Sequence, residues 1–214
     1  MTKNDVAGIR REYKKQQLDE SDIFQSPFDQ FEAWMEQALN SDLVEPTAMT
    51  LATASSDGYP TARTVLLKKY DEQGYVFYTN YSSRKGAQLD QNPRACLLFF
   101  WPELERQIRI EGHIEKEDRE QSEAYFNSRP FKSRVAALVS QQSSPVKSRK
   151  QLEEEFEALK EKYEDGEVPL PDDWGGYRLK PVRFEFWQGR RSRMHDRIEY
   201  ELQQNDWIIR RLAP

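Results

Sequence analysis

Phe184-Glu185-Phe186-Trp187-Gln188-Gly189-Arg190-Arg191-Ser192-Arg193-Met194-His195-Asp196-Arg197 is the stretch on which the rest of the sequence turns. Phe184 to Gln188 is aromatic and alternating, a strand pattern, and the polar Gly189 to Ser192 suits a turn. If Arg193 to Arg197 then continues as a strand, Arg193, His195 and Arg197 point the same way at spacings of roughly 7 Å. Two guanidiniums and an imidazole on one wall repel one another and call for an anion or an electron-rich planar ligand. The plain alternative is a solvated arginine-rich turn in which Asp196 pairs locally.

Composition bounds what surrounds that stretch. The chain has 214 residues, 37% hydrophobic, 32% charged and 12% aromatic, which describes a globular protein able to bury a sizeable core, read here as one domain. No run approaches the roughly 18 apolar residues of a membrane helix, and Met1 to Tyr13 is polar, so neither an anchor nor a signal peptide is expected and the expected compartment is the cytoplasm. The lone Cys96 lies in an apolar run and reads as a small buried hydrophobe. Two histidines and one cysteine, far apart, are too few soft ligands for zinc or haem, so no metal is expected. A net charge of −5 argues against nucleic-acid binding and leaves the basic clusters at 10–15, 84–85 and 190–197 as local sites to explain.

Taken in order, Arg10-Arg11-Glu12-Tyr13 opens a polar, helix-like segment that continues to Leu18. Pro27 followed by Phe28, Phe31, Trp34, Met35, Ala38 and Leu39 has the i, i+3, i+4, i+7 spacing of an amphipathic helix docked on a core. From Thr47 the pattern becomes short β-rich runs between turns: Thr47–Ala54, Thr61–Tyr70, Tyr75–Asn80, Arg94–Trp101 and Gln107–Glu115. Five or more antiparallel strands with hairpin links predict a closed or partly closed barrel. No Gly-x-Gly-x-x-Gly follows a strand and no Gly-Lys-Ser/Thr loop exists, so a bound nucleotide must be held by side chains.

The Tyr78 to Leu89 segment carries the best physical clue outside the terminal stretch. Ser82 or Ser83 caps a predicted helix running to about Gln91, where Asn92-Pro93 stops it. Arg84 and Lys85 then fall in its first turn, where cations oppose the helix dipole unless an anion binds there. Farther on, Tyr125, Arg129 and Ser133 are spaced to share one helix face, but Pro130 is expected to kink or end that helix just after Arg129. Gln107 reads as a barrel-rim residue and His113 as a surface strand residue. Gln151 to Tyr163 is a structural helix, 166–176 a rigid crossing loop, and Arg197–Leu202 with Trp207–Leu212 a closing hairpin.

The terminal stretch resembles the C-terminal signature of the pyridoxamine 5′-phosphate oxidase family, in which an aromatic-Glu-aromatic-Trp-Gln run is followed, four residues on, by Arg-apolar-His-acid-Arg. The resemblance extends from Arg10 to Arg211-Leu212-Ala213-Pro214. It implies a mainly β (α+β) fold with flanking helices: an FMN-binding split β-barrel, antiparallel and Greek-key-like, over 21–214, with 1–20 as a flexible flap. It also implies a homodimer with FMN at the subunit interface. The implied reaction oxidises pyridoxamine or pyridoxine 5′-phosphate to pyridoxal 5′-phosphate and reduces O2 to hydrogen peroxide.

Carried over residue by residue, the resemblance gives the FMN phosphate to Arg63, Arg84, Lys85 and Ser143, and the flavin ring and ribityl chain to Tyr78, Thr79, Gln107, Gln142, Trp187 and Arg197. Lys68 lies between flavin and substrate, and with Tyr125, Arg129 and Ser133 it holds the substrate phosphate. Arg193 and His195 are the catalytic pair facing the pyridine ring, and Arg10 and Tyr13 belong to the flap. Positions 63 and 68 fall on opposite faces of a straight strand, so a bulge, a twist or a second subunit must intervene. Gln16, Gln17, Asp19 and Glu20 depart from the arginine-rich character of some relatives, and Glu45 stands where relatives can carry aspartate. A split-barrel flavin reductase has no use for the Tyr125, Arg129, Ser133 set, and a non-enzymatic carrier would bind its ligand without turnover.

Overall fold

The structure, a computed structural model, describes residues 12–214. Its elements are α1 (Pro27–Leu39), β1 (Ala48–Ala54), β2 (Pro60–Leu66), β3 (Lys69–Asp71), β4 (Gly74–Asn80), α2 (Arg84–Gln91), β5 (Arg94–Trp101), β6 (Arg106–Lys116), α3 (Arg119–Ser128), α4 (Phe131–Val139), α5 (Arg149–Lys162), β7 (Trp174–Gln188), β8 (Asp196–Gln203) and β9 (Asp206–Arg211). The strand order is β2-β1-β5-β6-β7-β4-β3, with β8 paired to β7 and β9 to β8. The expected mainly β architecture with flanking helices is therefore the one observed. No helix among the described residues is long and apolar enough to cross a membrane.

The chain divides into two compact units. One, the cavity unit, holds Thr50–Cys96 and Glu111–Pro181; the other, the terminal unit, holds the described residues up to Met49 with Leu97–Ile110 and Val182–Pro214.

In the terminal unit, α1 starts where Ser26 accepts the backbone N–H groups of Phe28 and Asp29, with Pro27 in the first turn. Its Phe31, Trp34, Met35 and Ala38 are buried, with Phe31 meeting Phe99 at 5.4 Å and Trp34 meeting Phe186 at 5.3 Å. Each of the three large side chains contributes about 1.5–3 kcal/mol by leaving water, so the apolar stripe fixes the helix on its strands. Beside it, buried Arg106 stacks 4.3 Å over Trp34 and donates to the side-chain oxygens of Gln16, Gln37 and Gln188. Burial pushes this guanidinium down to about 10. The hairpin of β8 and β9 turns through Gln204 and Asn205, whose φ values of 51° and 78° fit the primed turns that join twisted strands.

The helix-like reading of 10–18 does not hold over the part described. Glu12 to Leu18 is non-helical, because its backbone donors find tertiary acceptors. Lys14 and Lys15 N–H donate to the buried Glu105 carboxylate at 2.8 and 3.0 Å, and Leu18 N–H donates to Asp196 at 3.1 Å. Two charge-assisted bonds to one carboxylate outweigh the weak intrinsic helix preference of so short a segment. Arg10 lies outside the described residues.

In the cavity unit, Phe126, Val135, Val168 and Trp174 form a buried cluster flanked by Tyr78, Tyr125, Phe131 and Phe156. Ser83 caps α2 and Asn92 ends it, as the sequence predicts. The predicted single strand 61–70 is instead interrupted at Leu67-Lys68, where Lys68 N–H turns to Val76 O at 2.9 Å before β3 begins. The predicted loop over 166–176 gives way to β7 at Trp174, and β7 pairs with β4 from Trp174 to Leu179. Cys96 is half-buried rather than buried, and His113 is an exposed strand residue.

Gly86 is where α2 comes closest to the preceding turn: a Cβ there would overlap the Tyr81 carbonyl, which is backbone and cannot swing aside. Gly86→Ala is expected to cost about 3 kcal/mol, at the upper end of ordinary overpacking. That loss corresponds to a melting temperature lower by roughly 6–12 °C for a chain of this size, measurable by circular dichroism.

Candidate active site

A cavity of about 730 Å³ opens in the cavity unit. Its charged lining is Arg63, Lys68, Lys85 and Arg129, and no carboxylate is among the described residues that line it. Thr79, Ser133, Ser140, Asn80 and Gln142 add neutral polar groups, while Tyr78, Tyr125 and Trp174 supply aromatic surface. Four cations without an acid between them repel one another, and such a lining is completed by an anion.

The N-terminal turn of α2 delivers Lys85 to the lining. Its Nζ is buried and donates to Thr79 Oγ1 at 3.0 Å, Ser83 Oγ at 3.3 Å and Gln142 Oε1 at 2.5 Å. All three acceptors are neutral. Burial, and then the nearby Arg63, push the ammonium down to about 8. Arg63, on β2, is likewise held below its ordinary value by burial and by Arg84. Arg84 N–H donates to Ser143 Oγ at 3.3 Å, which ties the helix start to the loop after α4. Ser143 itself sits at φ 74°, a left-handed conformation stabilised by its surroundings.

In the helical part of the unit, α3 stops at Ser128 and α4 starts at Phe131, so Pro130 breaks the helix as predicted. Arg129 takes an extended conformation at the break, the one a residue before proline prefers. Tyr125, Arg129 and Ser133 nevertheless reach the same lining. Tyr78 stacks on Tyr125 with centroids 3.9 Å apart and on Trp174 at 5.5 Å, and the Arg129 guanidinium lies 4.8 Å from the Trp174 ring centre. Arg129 Nη1 is buried with no hydrogen-bond partner. Burial lowers its pKa, and an unpaired guanidinium N–H is costly unless a ligand accepts from it.

Arg63 and Lys68 both line the cavity, with the strand interrupted between them at Leu67-Lys68. Sequence reasoning missed Trp174, whose only signal is the Gly175-Gly176 pair beside it: a Cβ on Gly176 would come within 2.9 Å of the Tyr78 ring.

Gln107, Trp187, Arg193, His195, Arg197 and Tyr13 belong to the terminal unit and are not in the lining of this cavity. The predicted strand over Arg193–Arg197 is not formed: Arg191 to Arg193 makes a tight turn with Ser192 and Arg193 at φ 56° and 62°, and β8 begins at Asp196. The turn is fixed by Arg190 N–H, which donates to His195 Nδ1 at 3.1 Å and leaves the ring proton on Nε2. The imidazole packs 4.7 Å from the Trp187 ring and 5.8 Å from Tyr13. Burial and Arg193 lower its pKa against the opposing pull of Asp196. Arg197 donates to the buried Glu185 carboxylate at 2.8 Å and to Ala213 O at 2.7 Å, with Arg109 on the other carboxylate oxygen at 2.6 Å. Among the described residues no cluster of three His, Cys, Asp or Glu is placed to hold a metal.

Residues 35–163 match the family described as pyridoxamine 5′-phosphate oxidase, and residues 174–214 match the pyridoxine 5′-phosphate oxidase C-terminal dimerisation region. The chain belongs to the pyridoxamine 5′-phosphate oxidase family. A pyridoxine/pyridoxamine 5′-phosphate oxidase of Crocosphaera subtropica is 53% identical over 98% of this chain and all of its own, and that of Rubrobacter xylanophilus is 50% identical over 99% and 98%. Among solved structures, PhzG of Burkholderia lata, in complex with tetrahydrophenazine-1-carboxylic acid, superposes with a TM-score of 0.87 at 30% identity over 91% of this chain and 95% of its own. An FMN-binding protein of Nostoc punctiforme superposes with a TM-score of 0.72 at 20% identity over 90% of this chain and all of its own, a likeness of fold. The split-barrel fold expected from the sequence is the fold of this oxidase family.

Proposed function

We propose that this chain oxidises pyridoxamine 5′-phosphate and pyridoxine 5′-phosphate to pyridoxal 5′-phosphate, with FMN as cofactor and dioxygen as the final acceptor. The observation that carries this reading is a carboxylate-free lining that carries four cations, which suits phosphomonoester ligands. Relatives at about half identity carry the same activity in their names. The reading includes a homodimer with FMN at the subunit interface, in keeping with the match to a dimerisation region. It takes residues 1–20 as a flap and 21–214 as the FMN-binding domain. It also takes the protein as cytoplasmic, where phosphorylated substrates that do not cross membranes are found.

The donor set fits a phosphate-bearing flavin. Lys85 and Arg63, with Arg84 and Ser143 beside them, would hold its phosphate, and Tyr78, Thr79, Gln107, Gln142, Trp187 and Arg197 its ring and ribityl chain. When bound, FMN supplies the two-electron acceptor for the substrate C4′ hydride and passes the electrons to dioxygen, released as hydrogen peroxide. The chain's own side chains position and polarise. Arg129, left with an unpaired N–H, would grip the substrate phosphate together with Lys68, Tyr125 and Ser133. Arg193 and His195 would orient the pyridine ring, His195 offering a neutral Nε2–H to its 3-oxygen. Tyr13, edge-on to Trp187 at 5.7 Å, would exclude water over the ring.

The decisive experiment is optical. The purified protein is expected to be yellow, and pyridoxine 5′-phosphate added without oxygen is expected to bleach it, with colour returning on aeration. Yellow protein that stays yellow would assign it to the carrier or reductase class instead.

Cofactor binding should depend on pH through Lys85. Its folded pKa of about 8 lies below the ordinary lysine value, so the ammonium is present below pH 8 and lost above it in the flavin-free chain. A dianionic phosphate raises that pKa by Coulombic attraction. FMN affinity is therefore expected to hold between roughly pH 6, where the phosphate becomes dianionic, and 8, then to fall by up to about tenfold per pH unit. Fluorescence titration checks this, and Lys85→Met should bind FMN more weakly and lose the upper limb.

A further inference from the structure

Arg63 lines the cavity, and a polar network in the cavity unit takes both of its Nη groups. Its Nη1 donates to Leu51 O at 3.2 Å and Thr53 Oγ1 at 2.6 Å, and its Nη2 to Thr61 Oγ1 at 2.5 Å and, more weakly, to Gln88 Oε1 at 3.4 Å. Both threonine hydroxyls in turn donate to the same Gln88 oxygen at 2.7 Å. Gln88 is 6% exposed and Thr53 4%, so water does not substitute for these partners. Gln88 sits on α2 one turn beyond Arg84 and Lys85.

A hydroxyl has one proton to give. With Gln88 Oε1 accepting from both threonines, each hydroxyl proton points away from Arg63 and each lone pair points toward it. The opposite amide orientation would set an N–H against the Arg63 guanidinium, donor facing donor. The Gln88 oxygen therefore fixes the direction of both hydroxyl bonds and, through them, the posture of Arg63. It also joins α2, which carries Lys85, to the strand that carries Arg63, so the two cations keep a set spacing despite their repulsion.

We propose that Gln88 is a positioning residue for phosphate recognition, orienting Arg63 through Thr53 and Thr61 toward the phosphate of the flavin cofactor. The proposal rests on the FMN reading above and deepens it. Without this acceptor the two hydroxyls, 3.3 Å apart, are free to bond each other. One of them then withdraws its lone pair or turns its proton toward the guanidinium, and Arg63 loses its aim. Flavin contacts that do not involve the phosphate are unaffected.

The test is titration of the full-length, flavin-stripped chain with FMN and, separately, with riboflavin, which lacks the phosphate, followed by fluorescence quenching. Gln88→Met keeps the side-chain length and removes the acceptor. It is expected to weaken FMN binding about tenfold and to leave riboflavin within about twofold, so the ratio of the two affinities falls about tenfold, a change worth about 1.4 kcal/mol. In a Thr53→Val/Thr61→Val background, the same substitution is expected to change the ratio less than about twofold, because the route to Arg63 is already cut. Equal weakening of both flavins, or an unchanged ratio, overturns the proposal in favour of a purely structural glutamine. Should Gln88→Met fail to fold, Thr61→Val, at a half-buried position on β2, tests the same link by the same ratio. A wild-type chain that binds FMN no better than riboflavin overturns the FMN reading itself and the proposal with it.

Discussion

Arg129→Met is expected to raise KM for pyridoxine 5′-phosphate about a hundredfold while FMN affinity stays within about twofold. The guanidinium is half-buried against Trp174, and its Nη1 has no protein partner, so its donors are kept for a ligand. A hundredfold change is about 2.7 kcal/mol, within the range for truncating one side of a buried, hydrogen-bonded charge pair. Methionine retains much of the volume and packs well on an aromatic ring, so little of the effect should come from lost packing. The phosphate is remote from the carbon that is oxidised, and the lost binding is shared by ground state and transition state, so kcat should change little. Steady-state kinetics with both substrates, set beside a flavin titration, checks this. Weakened FMN binding with an unchanged KM would instead assign Arg129 to the cofactor phosphate.

Arg193→Ala is expected to lower kcat about a hundredfold while the protein remains yellow. Arg193 holds a left-handed backbone conformation that costs about 1–2 kcal/mol for a side-chain-bearing residue, strain of the kind that persists at functional sites. Its charge is one reason His195 titrates below its ordinary value, so alanine should let the imidazole pKa rise. Protonation of His195 would then set in at higher pH, and wherever it occurs Arg190 N–H would face a donor where it now meets an acceptor. The turn would loosen and the pyridine ring would lose both its orienting groups. Stopped-flow reduction of the bound flavin gives the rate, and a proton-resonance titration of His195 gives the pKa. Loss of flavin with an unchanged rate in added FMN would move Arg193 to the cofactor site.

Most of what was legible in the sequence is local. The cap at Ser83, the stop at Asn92-Pro93, the break at Pro130 and the apolar stripe of α1 are each set by neighbours within a turn or two, and the structure has them where spacing predicts. The unreadable parts depend on partners far along the chain. Glu12 to Leu18 has helical composition, yet Glu105, about ninety positions away, takes its backbone donors. No glycine or proline announces the interruption at Leu67-Lys68, which falls inside the run Val65-Leu66-Leu67-Lys68-Lys69. Gly175, Gly176 and Pro181 disguise the first half of β7 as loop, although the two glycines are needed there to admit the rings of Tyr81 and Tyr78. The cationic residues of the cavity were visible as clusters and as matches to a family. Gln88, Thr53 and Thr61 were not, since uncharged side chains in a strand and a helix look like any others until the fold puts them behind Arg63.

The break between β2 and β3 also makes chain length itself a constraint. Arg63 and Lys68 line one chamber, and the five-residue interval between them acts as a ruler that spans the point where the strand lets go. Residue identities within the interval can drift among apolar types, but insertion or deletion of a single residue would re-aim one cation into the protein or out to solvent. Tolerance to indels in this segment is thus far narrower than its bland composition suggests.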